Sequence, residues 1–365
     1  MAKERSSNFE LLRIVSMFMI VLYHFALHSH FSFDSYSFNA AYVNFLEIFG
    51  KVGVDVFLLI SGYFLVEAKQ VRISKIIKLW TQIFFYSIVA FWVSISLQVT
   101  ELSNWTLYKA MLPISSEKWW FASAYFIMYL FSPFLNRLLR TLSQKSYISM
   151  LTMALILWSL ISVGILMEIE LNDLILYCMI YSIGGYIRLY ADDKILNKKK
   201  IFFAIIIIVA VSFGLQMLIE CRTEYRFFNS FIRGYKWILL EAKSPFTIAI
   251  SILLFLLFKG IKLRTSKFIN VMSSATFGVY LIHDNEYTQS DLWENFLKTR
   301  DYQNSPYFIF YSIAICLAIY IICTLIELVR IYILEKNYMK LVYKAEPKIN
   351  KAINKIMNPI YNKLQ

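Results

Sequence analysis

Charge is scarce in this sequence. Only 17% of its 365 residues are Asp, Glu, Lys or Arg, against about 25% in soluble domains. Hydrophobic residues make up 59% and aromatic residues 18%, and mean hydropathy is +0.56. A water-soluble chain of this size needs far more polar surface to cover its core. Lipid is therefore the expected solvent. Cysteine is sparse too. The four are Cys178, Cys221, Cys316 and Cys323; three fall in apolar runs and no CxxC pair occurs, which argues against a disulfide framework or a cysteine zinc site. No HExxH motif or carboxylate cluster is present, so no metal is expected. No Gly/Ser linker divides the chain and no internal repeat is visible. The first apolar run has no small-residue cleavage site and carries Arg13, so it reads as a retained helix, not a signal peptide. Net charge is +13. In a soluble protein that balance suggests nucleic acid. Here the basic residues lie mainly between apolar runs, and no nucleic-acid partner is expected.

Long apolar runs dominate instead. A spanning helix needs about 20 mostly apolar residues. About ten runs qualify: residues 10–29, 46–66, 76–98, 119–139, 147–167, 171–190, 201–219, 238–258, 268–284 and 307–331. The predicted fold is an all-α polytopic membrane helical bundle. With the N-terminus inside, the cytoplasmic segments hold about three times as many Lys and Arg as the outer loops, which places both termini in the cytoplasm. The exception is the outer loop with Arg222, Arg226, Arg233 and Lys236, for which two readings stand: a place for an anionic group, or a different helix count there. Residues 1–335 are expected to form the membrane domain and 336–365 a basic tail. In that tail Ile349, Ile353, Ile356, Ile360 and Leu364 recur at helical spacing, with Lys348, Lys351 and Lys355 between them. Two readings stand: an amphipathic helix on an anionic inner leaflet, or a solvated tail.

The first run carries two titratable residues, Arg13 and His24. Eleven residues at about 100° each make three turns plus about 20°, so the two side chains share one face roughly 16 Å apart along the axis. Glu10, three residues before Arg13, is placed to pair with it. A charge at membrane depth costs a few kcal/mol, so such residues usually face a cavity or a partner. Snorkelling of Arg13 to the headgroups and a structural hydrogen bond at His24 are the plainer readings. The shared face favours a lined cavity. Histidine is also the natural general base near neutral pH. His28 and His30 follow it; His24 and His28 are four apart, a spacing that can bind a metal, but no HExxH motif or carboxylate cluster accompanies them.

The second run contains Gly50, Lys51, Gly53, Asp55, Ser61 and Gly62. Glycines at its mouth permit close backbone approach or a broken helix end. Asp55 either pairs with Lys51 across a re-entrant turn or orients a base or substrate. Arg72, Lys75 and Lys78 recur three apart at the cytoplasmic surface, as a phosphate site or as ordinary positive-inside charge. Trp119, Trp120 and Tyr125 open the fourth helix, as an interfacial aromatic belt or a surface on which a sugar ring stacks. The ninth run ends at His283 beside Asp284.

At these residues the chain resembles the acyltransferase-3 family of integral membrane acyltransferases. The matching patterns are Arg13 to His24 in the first run, Gly53 to Gly62 in the second, Trp120, Phe121, Tyr125 and Pro133 in the fourth, and Phe277 to His283 in the ninth. Their order spans nearly the whole chain. The resemblance implies ten helices, an acyl-coenzyme A donor from the cytoplasm, a sugar hydroxyl as acceptor at the outer face, and essential roles for Arg13 and His24. The chain departs from the pattern twice. Asp284 stands where proline often follows the histidine, and Glu327 is followed by Leu328 and Val329 where the family often has Glu-x-Pro. The pattern alone therefore fixes no role for His283 or Glu327.

The expected activity is that of an O-acetyltransferase in a bacterial cytoplasmic membrane. It would move an acetyl group from acetyl-CoA, its donor, to a cell-surface or lipid-linked glycan. His24, Arg13 and Asp55 would be catalytic. Arg13, Arg72, Lys75 and Lys78 would hold the donor; Trp119, Trp120, Tyr125 and His283 would hold the acceptor. His24 would act as general base or carry the acyl group itself. The rival reading is a transporter or flippase of a polysaccharide or lipid-linked sugar, since intramembrane ionisable residues also serve proton coupling. A membrane sensor or scaffold is the third.

Overall fold

The computed structural model describes residues 6–33, 37–159, 173–191, 197–221 and 241–363. Among these, helices make up the regular structure and no strand occurs. They are α1 (Ser7–His28), α2 (Phe38–Leu65), α3 (Ile73–Ser96), α4 (Asn104–Met111), α5 (Trp120–Thr141), α6 (Gln144–Leu155), α7 (Asp173–Tyr190), α8 (Lys198–Cys221), α9 (Pro245–Gly260), α10 (Lys267–Ser274), α11 (Thr276–His283), α12 (Phe308–Arg330) and α13 (Lys336–Lys363). By length and composition, Ser7–His28, Phe38–Leu65, Ile73–Ser96, Lys198–Leu218 and Phe308–Lys351 can each cross a membrane, while α9 is apolar but shorter. The chain is an all-helical membrane protein.

The helix α2 is the spine of the bundle. It runs beside α1 along much of its length and also packs on α7, α8 and α9. Two crossings need glycine. A Cβ on Gly53 would sit 2.6 Å from the Ser16 carbonyl oxygen of α1. Where α2 meets α7, a Cβ on Gly62 would lie 1.9 Å from the Tyr181 oxygen, and one on Gly184 would lie 2.2 Å from the Leu59 oxygen. Small residues let membrane helices approach until their backbones touch, where dispersion is strongest.

Several boundaries differ from the sequence expectation, each for a local reason. α2 runs unbroken through Gly50 and Gly53, so these glycines serve close packing, not a re-entrant turn. It also starts eight residues before the expected run, at Phe38. Ser37 caps it by accepting from the Ala40 N–H, and Asn39 donates to the Gln303 and Ser305 carbonyls. The run 268–284 is two helices that break at Ala275, whose N–H bonds back to the Met272 oxygen. The run 238–258 becomes α9, starting at Pro245 behind a Ser244 cap, since proline is tolerated in a first turn. Short α4, closed by a capping box between Ser103 and Thr106, lies between the third and fourth apolar runs. Residues 160–172 and the loop with Arg222, Arg226, Arg233 and Lys236 lie outside the described residues. Beyond α12 the chain stays helical through 331–335 into α13, which returns to α3.

Candidate active site

α1 carries both ends of the site. At its start the Arg13 guanidinium donates to Glu10 Oε1 at 3.0 Å. Glu10 is buried and its other oxygen accepts from Ser273 Oγ at 2.5 Å. Arg13 is thus anchored through α10, not left to snorkel. It lines a cavity of about 370 Å³ with Lys75, Lys78, Gln82, Ser61 and Tyr125. Of the three basic residues expected to bind phosphate, Lys75 and Lys78 therefore face this cavity beside Arg13. Lys78 Nζ also pairs with Glu335 at 2.5 Å. Arg72 lies outside the lining, at the N-cap of α3.

Three turns along the same face, His24 is buried at the junction with α11. Its Nδ1 is 2.8 Å from His283 Nε2, and His283 Nδ1 is 2.6 Å from the Val279 carbonyl oxygen. A carbonyl can only accept, so His283 Nδ1 carries a proton. With His283 neutral, its Nε2 is then the acceptor, and His24 Nδ1 must donate. The lone pair of a neutral His24 is left on Nε2. That nitrogen points toward Asp284 Oδ2 at 3.6 Å, too far for a direct hydrogen bond. The other Asp284 oxygen accepts from His28 Nε2 at 2.9 Å. Asp284 is itself buried. The result is a neutral imidazole with a fixed tautomer, its Nε2 lone pair facing a buried carboxylate. Ligand atoms of His24, His28 and Asp284 lie within 4.8 Å of one another, the one grouping among the described residues with the composition and spacing to hold a metal ion. As they stand, hydrogen bonds account for His28 and Asp284.

The structure separates other residues that the sequence grouped together. Asp55 is fully buried but lines neither cavity. It faces α9, with Oδ2 3.5 Å from Ser251 Oγ and Oδ1 without a hydrogen-bond partner among the described residues. The Lys51 ammonium lies near the rings of Tyr23 at 5.1 Å and Trp120 at 5.8 Å. Asp284, not Asp55, is the carboxylate at His24. Trp119 is buried, Trp120 lines a small cavity beside His24, and Tyr125 lines the large one, its hydroxyl 3.1 Å from Ser61 Oγ. His283 is fully buried against His24 and lines neither cavity. The sequence signals for the cluster were the four-residue spacing of His24 and His28 and the adjacency of His283 and Asp284. Nothing in one dimension joined those two pairs.

Beneath α11 lies a second polar network. Glu327 of α12 is fully buried and accepts from Gln82 at 2.9 Å, Tyr86 at 2.5 Å and both arms of Arg330 at 2.7 Å. It reaches α11 because residue 278 is glycine: a Cβ there would lie 2.3 Å from the Glu327 carboxyl carbon. Loss of the proline pattern after Glu327 leaves α12 continuous, and the glutamate keeps a packing role.

The helical membrane bundle thus buries a histidine–aspartate cluster at one end of α1 and a basic cavity at the other. Residues 6–327 match the family model described as an acyltransferase domain, and the chain belongs to this family, acyltransferase-3. It is thus a membrane acyltransferase. No curated protein and no solved structure matches it.

Proposed function

We propose that the protein is an O-acetyltransferase that takes the acetyl group of cytoplasmic acetyl-CoA and places it on a hydroxyl of a cell-surface or lipid-linked glycan. The observation that carries the mechanism is the fixed His24 tautomer, with its free Nε2 on the same helix as the Arg13 cavity. In this reading about ten helices cross a bacterial cytoplasmic membrane, with both termini inside. The donor's phosphates meet Lys75 and Lys78, and Arg13 steadies the entering arm. The acceptor oxygen then bonds to the thioester carbon while its proton passes to His24 Nε2. The C–S bond breaks, and the sulfur keeps the electron pair. It takes the proton from His24, giving free coenzyme A and an O-acyl ester. Asp284 favours the imidazolium formed in between.

Membranes carrying the protein are expected to release coenzyme A from acetyl-CoA and to label glycan with the acetyl group. His24→Ala is expected to lower both by at least about 100-fold, the usual scale of a general base, with the protein still folded in the membrane. Substantial turnover in that variant would sink the mechanism. Substrate movement without coenzyme A release would make the chain a transporter. Label retained on the protein after donor removal would give His24 the carrier role instead.

A further inference from the structure

The donor cavity beside Arg13 does not open directly onto His24. A second, much smaller cavity of about 20 Å³ lies against the His24 ring, walled by Met17, Ile20, Tyr23, Val54 and Tyr280. The two cavities share one lining residue, Phe121. Its ring is buried and held on three sides by aromatic rings: Tyr280 at 5.7 Å edge to face, Tyr177 at 5.7 Å and Tyr125 at 5.8 Å. Phe121 stands in the first turn of α5, where backbone groups lack helical partners and can adjust most easily.

We propose that Phe121 is the partition between the donor cavity and His24, and that it limits the transferred group to the shortest acyl chains. The proposal rests on the acyltransferase reading above. Arg13 and His24 lie about 16 Å apart along α1. An acyl group travelling between them must therefore pass Phe121, whose ring closes the space on the His24 side. A space of about 20 Å³ holds on the order of one water-sized group. That is room for the end of an acetyl group, while a butyryl chain would displace Phe121, Met17 or Val54. One methylene too many in an apolar pocket costs about tenfold or more in specificity. Phe121 is thus a specificity-determining residue, while His24 does the chemistry.

The test uses isolated membranes of the producing cell, which retain the natural acceptor, with His24→Ala membranes as the blank. Coenzyme A release is measured from acetyl-CoA and from butyryl-CoA for wild type, Phe121→Leu and Phe121→Ala. Wild type is expected to strongly prefer acetyl. The butyryl-to-acetyl ratio is expected to rise about tenfold or more in Phe121→Ala, with Phe121→Leu between. A ratio within twofold of wild type, in either variant that turns over acetyl-CoA, would overturn the proposal. So would loss of acetyl turnover in both, because opening a partition cannot close a route. Wild type no more active than the blank would overturn the acyltransfer reading itself, and the partition with it.

Discussion

The Val279 carbonyl cannot donate a hydrogen bond, and that simple fact propagates through two rings to decide which His24 nitrogen keeps its lone pair. His283 is therefore a positioning residue: it sets which His24 nitrogen is free and how the ring is turned. Its removal is expected to act on the chemical step. His283→Ala should lower kcat by about 100-fold, with the KM for acetyl-CoA changed less than about twofold, since general-base catalysis is worth at least that much. His283→Gln keeps an acceptor for His24 Nδ1 and should recover about tenfold of the loss. A merely structural role would give equal deficits in both variants. Asp284→Asn removes the charge facing His24 Nε2 at 3.6 Å and should also lower kcat while leaving donor binding intact. The sequence made Arg13 and His24 legible because a helix turns at a known rate. It did not assign Asp284, which looked like a lost proline, because a contact between residues some 260 positions apart leaves no trace in local spacing.

At the scale of elements, the junction of α11 with α12 buries a carboxylate among polar partners. Glu327 is an anion without solvent, held by Arg330, Gln82 and Tyr86. Breaking a buried pair from one side costs about 3–5 kcal/mol when the remaining charge is stranded; here Arg330 keeps its bond to Glu335, so the loss falls below that range. Glu327→Leu should lower the thermal unfolding temperature in detergent accordingly. Gly278→Ala should cost about 1–3 kcal/mol as overpacking, since its Cβ would overlap the Glu327 carboxylate. An unchanged melting curve in both variants would contradict this packing. Apolar runs located α1, α3, α5, α7, α8 and α12 well, because each is long and apolar. They misread the break at Ala275, where two short helices together look like one hydrophobic stretch. They also missed the start of α2, whose two asparagines are satisfied by partners far along the chain or otherwise in contact.

For the molecule as a whole, the proposed orientation gives a direct labelling experiment. In a background cleared of the four native cysteines, Glu101→Cys in the exposed turn after α3 should react with a membrane-impermeant maleimide added to intact cells. Lys262→Cys after α9, also exposed, should react only after the membrane is opened. The reverse pattern would turn the donor cavity outward and remove the cytoplasmic donor from consideration.

The long helix from α12 into α13 runs antiparallel to α3 and touches it at successive heights. Glu327 meets Tyr86 and Gln82, Glu335 meets Lys78, the Tyr338 hydroxyl meets Thr81, and Glu346 accepts from both the backbone N–H and the hydroxyl of Ser74. It is a splint. A beam fastened at several points along its neighbour does not let that neighbour hinge, so Lys75 and Lys78 are held at a fixed depth beside Arg13. Rigidity at this rim of the cavity is a matter of carpentry supplied by the long helix.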